Sequence, residues 1–253
     1  MRLTPQPVIQ LWLSHVGEPI DGDDFSHLSD AEQAQALTFS RPDLRLRYLR
    51  IRTQVRRVLA QFSGIPASEL SFARSSQGKP FLTNLPISFN ISHSGDYLAI
   101  AMAHQNKAGI KLDKLGVDLE QRVAKRNRDG IAERYFHPQE FSYLQALETA
   151  HREPAFYRLW TLKEAFFKAR GTGIATGLAC AAFRFEHLEI HPHLAPELQE
   201  NPKEWRFWQW QTDAALTLAL ACQSPDAPAL TVELHCDPAW QARLGDPQLI
   251  GRR

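Results

Sequence analysis

Three acidic residues in this chain have the type and spacing to hold a divalent cation. Asp118 and Glu120 stand two apart in Gly-Val-Asp-Leu-Glu, and Glu164 lies within Trp-Thr-Leu-Lys-Glu-Ala-Phe-Phe-Lys. If the first segment is a strand, alternation puts Asp118 and Glu120 on one face while Val117 and Leu119 enter the core on the other. Two carboxylates in so small a space repel each other unless a proton or a cation lies between them, and hard oxygen donors select Mg²⁺ or Mn²⁺ over zinc. An isolated Asp-x-Glu is nonetheless more often a pair of solvated acids on an edge strand.

The second segment has helical spacing. Trp160, Lys163, Glu164, Phe167 and Lys168 recur at intervals of three and four and so share one side. A plain surface helix would leave Trp160 and Phe167 exposed beside the charges, whereas a half-buried functional face accounts for rings and charges together. Further back, Ser92, His93 and Ser94 fall at a strand end in Phe-Asn-Ile-Ser-His-Ser-Gly, where hydroxyls, imidazole and backbone amides can surround a phosphate. A lone histidine is more often structural. Arg74 and Lys79 bracket a Ser-Ser-Gln-Gly turn, which reads as an anion clamp or equally as a solvated loop. Arg47 sits at the edge of an apolar stripe, within reach of a pocket, and Arg45, Arg52 and Arg56 are expected to face water. His187, His191 and His193 have ligand-like spacing, but Pro192 disfavours a regular helix or central strand there, and no metal site is expected.

The elements that must position these residues follow from periodicity. Leu44, Tyr48, Ile51, Val55, Val58, Leu59 and Phe62 mark an amphipathic helix over 41–62, with Ser40 as N-cap and Gly64 past its end. Ile-Ser-Phe-Asn-Ile-Ser and Tyr-Leu-Ala-Ile-Ala-Met-Ala form an antiparallel hairpin. A second helix runs from Pro154 to Arg170, with Ala155, Leu159, Leu162, Phe166 and Ala169 on its core side and Gly171 as its stop. Trp-Arg-Phe-Trp-Gln-Trp-Gln and Ala-Leu-Thr-Leu-Ala-Leu-Ala-Cys form another strand pair, joined by a turn containing Asp213. The order helix then hairpin occurs twice, which suggests duplication into two α+β halves. The N-terminal segment reads as a first strand, and the last residues of the proline-rich stretch beyond Ser224 as mobile.

Bulk properties bound the function. The 253 residues are 43% apolar, and 29 basic side chains against 28 acidic ones leave no global field to recruit nucleic acid or an anionic membrane. Cys180, Cys222 and Cys236 are too few and too dispersed for a disulfide framework, which points to the cytoplasm, and no signal peptide or membrane span is evident.

In this order, Gly-Lys-Pro at 78–80, Phe-Asn-Ile-Ser-His-Ser-Gly, Gly-Val-Asp-Leu-Glu and Trp-Thr-Leu-Lys-Glu-Ala-Phe-Phe-Lys-Ala-Arg-Gly-Thr-Gly resemble the surfactin-type 4′-phosphopantetheinyl transferases, over roughly Arg47 to Gly173. The resemblance implies an α+β fold of two similar lobes about a pseudo-twofold axis, taken here as residues 1–115 and 116–240 with a tail at 241–253. It implies transfer of phosphopantetheine from coenzyme A to a serine of an apo acyl carrier or peptidyl carrier protein, releasing adenosine 3′,5′-bisphosphate. Such carriers serve fatty-acid, polyketide and nonribosomal peptide synthesis, and the enzyme would be a cytoplasmic monomer. Asp118, Glu120 and Glu164 match the magnesium-binding acids, with Mn²⁺ as a substitute. Lys79, Ser92 and His93 match coenzyme A contacts, Arg47 and Arg74 phosphate-binding arginines, and Lys168 a lysine beside the pyrophosphate, with Lys163 helping the same charge. Glu164 or a metal-bound water would be the base. The chain departs from the family in Asp-Ala-Glu-Gln-Ala-Gln-Ala-Leu-Thr-Phe, where Glu32 and Gln35 stand in place of lysines. A Mg²⁺-dependent phosphohydrolase acting on a pyrophosphate, and a non-catalytic module binding coenzyme A or a carrier, are the alternatives.

Overall fold

A computed structural model describes residues 8–19, 23–105, 114–122, 127–173, 177–212, 215–224, 230–236 and 248–252. In chain order the strands are β1 (Val8–His15), β2 (Phe72–Arg74), β3 (Pro80–Leu82), β4 (Ile87–Ser94), β5 (Tyr97–His104), β6 (Leu115–Gln121), β7 (Ala181–Glu186), β8 (Glu189–Leu194), β9 (Trp205–Gln211), β10 (Leu216–Gln223), β11 (Thr231–Cys236) and β12 (Gln248–Arg252). The helices are α1 (Asp30–Leu37), α2 (Pro42–Ser63), α3 (Arg128–Tyr135), α4 (Pro138–Ala146) and α5 (Thr149–Arg170).

Alternation in the strands sorts side chains into three cores. Ile9, Leu11 and Leu13 of β1 and Ala99, Ala101 and Ala103 of β5 pack against Val117, Leu119, Leu218 and Leu220 of β6 and β10, joining the two sheets face to face. On the far side of the first sheet, Leu98, Ile100, Met102 and Phe89 meet Ile51, Val55, Val58 and Leu59 of α2. On the far side of the second, Ala219, Ala221, Phe207 and Phe183 meet Leu159, Leu162 and Phe166 of α5. The molecule is therefore helix, sheet, sheet, helix.

The two halves repeat a topology. The first sheet has the order β11-β1-β5-β4 and the second β6-β10-β9-β12-β8-β7. Thus β1 pairs antiparallel with β5 and β5 with β4, as β6 pairs antiparallel with β10 and β10 with β9. This bears out the expected α+β architecture of two similar lobes. Residues 213–214 of the second hairpin's turn, including Asp213, lie outside the described residues. β11 crosses back to pair in parallel with β1, and β12 joins the second sheet, so 248–252 is not the mobile tail expected from its prolines.

Several boundaries differ from the periodicity. The cap of α2 is Arg41 rather than Ser40, because Pro42 takes the first helical position. Gly64 ends α2 at φ 73° and Gly171 ends α5 at φ 71°, the left-handed conformation a side chain disfavours. α5 starts at Thr149, with Pro154 inside it. α1 was hidden in a polar stretch and is nucleated by a capping box between Ser29 and Glu32. Arg52 and Arg56 do not face water: both bind the Glu32 carboxylate, at 2.6 and 2.7 Å, and lie over the Phe72 ring. Glu32 thus fastens α1 to α2. No helix among the described residues is long and apolar enough to cross a membrane.

Candidate active site

The sequence of β6 decides where α5 can lie. A Cβ on Gly116 would sit 2.1 Å from the carbonyl oxygen of Ala165 and 2.3 Å from the amide of Ala169, so only glycine lets the helix backbone rest on this strand. The next residue on that face is Asp118. It is only 4% exposed, because both faces of β6 are covered, and it is therefore no solvated edge acid.

Asp118 and Glu120 meet matching hydroxyls of β4 across the seam between lobes. Ser92 Oγ donates to Asp118 Oδ1 at 2.9 Å and Ser94 Oγ to Glu120 Oε2 at 3.0 Å. Asn90 Oδ1 extends the row by accepting the Val117 amide at 2.8 Å. From the other side, Lys168 Nζ donates to Asp118 Oδ1 at 2.6 Å and to Ser92 Oγ at 2.8 Å, and Trp160 Nε1 donates to Glu120 Oε1 at 3.0 Å. Trp160 and Lys168 are each one turn from Glu164, so the half-buried Glu164 lies between them on the face turned to β6.

His93 points away from Ser92 and Ser94, toward the α2 side of β4. The residue is exposed to solvent. Partial desolvation first, then the charges of Arg47 and Lys168, hold its pKa below the ordinary 6.5, against the pull of Asp118. Arg47 Nε is buried with no hydrogen-bond partner among the described residues. These groups form a positive rim beside the carboxylates.

Three predicted residues lie elsewhere. Lys163 is fully buried, paired with Glu140 at 2.6 Å and donating to the carbonyls of Leu178 and Ala181. Its ammonium is enclosed in the core, so it cannot help bind a pyrophosphate at the seam. Phe167 is fully buried as well, leaving only Trp160, Glu164 and Lys168 of the supposed functional face half-exposed. Lys79 spends its ammonium on the carbonyls of Leu115 and Ala169, at 2.9 and 3.1 Å, and burial pulls its pKa down to about 8. It ties the β2–β3 hairpin to the second lobe. Arg74 is exposed and closes its own turn onto the Gly78 carbonyl at 3.0 Å. Glu140 carries no signal that singles it out; Ser94 stands with Ser92 and His93 in the strand-end cluster read as a phosphate site, and nothing in its spacing points to Glu120.

The acids suit a hard divalent cation in kind. All are carboxylates, and Asp118 Oδ2 is buried with no hydrogen-bond partner among the described residues. They are not already closed into a cage: no group of three or more His, Cys, Asp or Glu side chains among the described residues is gathered to hold a metal. Lys168 supplies the positive charge at Asp118 instead.

Two family models match the lobes in turn. Residues 23–105 match the 4′-phosphopantetheinyl transferase N-terminal family and 114–221 the 4′-phosphopantetheinyl transferase superfamily. The chain is 31% identical to the 4′-phosphopantetheinyl transferase HetI of Nostoc over 221 residues, covering 84% of this chain and 86% of HetI. It is 29% identical to the 4′-phosphopantetheinyl transferase Sfp of Bacillus subtilis, covering 69% of this chain and 72% of Sfp. The crystal structure of Thermotoga maritima holo-[acyl-carrier-protein] synthase aligns at a TM-score of 0.35 with 20% identity, over 44% of this chain and 63% of that one. With HetI matched at 31% identity over 86% of its length, and both lobes matched by family models, the chain belongs to the 4′-phosphopantetheinyl transferase superfamily.

Proposed function

We propose that this protein transfers the 4′-phosphopantetheine moiety of coenzyme A to a serine hydroxyl of an apo acyl carrier or peptidyl carrier protein. The observation that carries the reading is the meeting of Asp118, Glu120, Ser92 and Lys168 at the lobe seam, with Glu164 between the two helix residues that reach them. Asp118, Glu120 and Glu164 would hold Mg²⁺ or Mn²⁺. Such an ion, when bound, neutralises a pyrophosphate and makes its phosphorus more electrophilic.

The chain's own residues do the rest. Arg47 and His93 receive nucleotide phosphates at the rim, where a bound anion favours the imidazolium form of His93. Glu164, on a rigid helix, accepts the proton of the carrier serine as its oxygen bonds to the β-phosphorus. The bond from that phosphorus to the bridging oxygen breaks, and Lys168 stabilises the charge that develops on departing adenosine 3′,5′-bisphosphate. Ser92 Oγ, which accepts from the Lys168 ammonium at 2.8 Å and donates to Asp118 at 2.9 Å, holds the two charges together. The three cysteines, too few and too dispersed for a disulfide framework, favour action in the cytoplasm, and both lobes coming from one chain favours a monomer.

The release of adenosine 3′,5′-bisphosphate from coenzyme A with Mg²⁺, measured with and without apo-carrier, tests the reading. Release that depends on carrier is expected, and equal release in both arms means that water is the acceptor.

A further inference from the structure

Glu120 is held from both lobes. Each of its oxygens receives a donor from a different lobe, Oε2 from Ser94 Oγ of β4 and Oε1 from Trp160 Nε1 of α5, both at 3.0 Å. Neither donor is loosely placed. Ser94 Oγ also accepts the Gln121 amide at 3.1 Å, and the Gln121 side chain packs where a Cβ on Gly95 would be, its Oε1 2.1 Å from that position. The Ser94-Gly95 turn is thereby seated on the end of β6. Trp160 lies in a stack of rings, its centroid 5.9 Å from Phe156 and 6.3 Å from Phe136, at interplanar angles of 16° and 26°. The stack fixes the plane of the indole, and with it the direction of the N–H.

We infer that Ser94 and Trp160 are positioning residues that clamp Glu120 between the lobes and so fix the aim of the carboxylate pair. A carboxylate oxygen offers two lone-pair directions, so accepting a hydrogen bond does not by itself bar it from binding a metal. The clamp therefore orients Glu120 without disabling it as a ligand. It also sets the register of helix on strand: Trp160 to Glu120 and Lys168 to Asp118 tie α5 to β6 on this face, and Glu164 lies between them. Loss of either donor frees Glu120 to rotate and lets the acids separate. Replacing a hydrogen-bonding partner of a metal-ligating group typically lowers affinity or activity by about 10- to 100-fold.

The inference rests on the reading of the site given above. Trp160→Phe keeps the ring stack and removes only the N–H, Ser94→Ala removes the hydroxyl, and Ser94→Thr retains it. Mn²⁺ affinity by titration calorimetry, kcat and KM for coenzyme A, and the thermal midpoint would be measured for each. Trp160→Phe and Ser94→Ala are expected to weaken Mn²⁺ binding and lower kcat by about 10-fold or more, with KM for coenzyme A little changed, and Ser94→Thr to recover both. In a Glu120→Ala background neither replacement should cost anything further. Wild-type Mn²⁺ affinity in both variants, or the same loss with and without Glu120, would overturn the clamp. A shifted midpoint with unchanged Mn²⁺ affinity would also overturn it, leaving ordinary packing. The metal titration needs no carrier, so an absence of transfer by wild-type protein would sink the transferase reading while the titration still decides the clamp.

Discussion

The ammonium of Lys168 lies 2.6 Å from Asp118 Oδ1 and is the only charge directly paired with that buried carboxylate among the described residues. Lys168→Met leaves Asp118 with Ser92 alone. A buried acceptor deprived of its partner costs about 1–3 kcal/mol, so urea unfolding in the presence of EDTA should show a loss of that size. Adding Mn²⁺ should recover part of it, because a ligand that binds only the folded state stabilises it. No loss in EDTA would mean that the pair does not hold in solution.

Lys163 and Glu140 form a pair within the second core, with Glu140 also accepting the amides of His137 and Phe183. Removing one member of a buried pair costs about 3–5 kcal/mol. Lys163→Met should lower guanidinium stability by that order, and adding Glu140→Gln, which keeps one acceptor oxygen and removes the charge, should restore some of it. Below its unfolding transition Lys163→Met should bind coenzyme A with unchanged KM. A large rise in KM without loss of stability would return Lys163 to the site.

Burial lowers the Lys79 ammonium from 10.5 to about 8. Below pH 8 both folded and unfolded chains carry the proton and the penalty is constant. Between about 8 and 10.5 the folded chain releases it while the unfolded chain keeps it, so this residue makes stability rise with pH. Comparing urea midpoints of wild type and Lys79→Met across that interval isolates the contribution. A difference between them that stays flat with pH would contradict the buried placement.

The pKa of His93 lies below the ordinary imidazole value, chiefly through desolvation. If nucleotide phosphates sit beside it, binding of coenzyme A takes up a proton, and affinity rises as pH falls through the imidazole range. Calorimetry in buffers of different ionisation enthalpy should count that proton for wild type and lose it for His93→Gln. Equal proton uptake in both would place the phosphates elsewhere.

Much of this was legible in the residues. Both long helices, both hairpins and the facing of Val117 and Leu119 followed from periods of 3.6 and 2, because one-sided burial imposes them. Asp118 and Lys168 could be linked only through a resemblance, since neither period reports which face of α5 meets which face of β6. Lys163 was misplaced for that reason: α5 is covered almost all round, so a charged residue at helical spacing from Glu164 was read as functional when its partner, Glu140, lay on another helix. Arg52 and Arg56 failed alike, their acid being supplied by Glu32, twenty and twenty-four residues earlier. Pairings of charge across elements leave no periodic trace, and Ser94 shows the same for a hydroxyl.

The most direct measurement is the intact mass of apo-carrier proteins incubated with this protein, coenzyme A and Mg²⁺, beside parallel samples with EDTA and with Glu164→Ala. A carrier gaining one phosphopantetheine in the complete mixture, and none in the other two, is the predicted result. Unchanged carrier mass while coenzyme A is consumed, or full modification by Glu164→Ala, would contradict it.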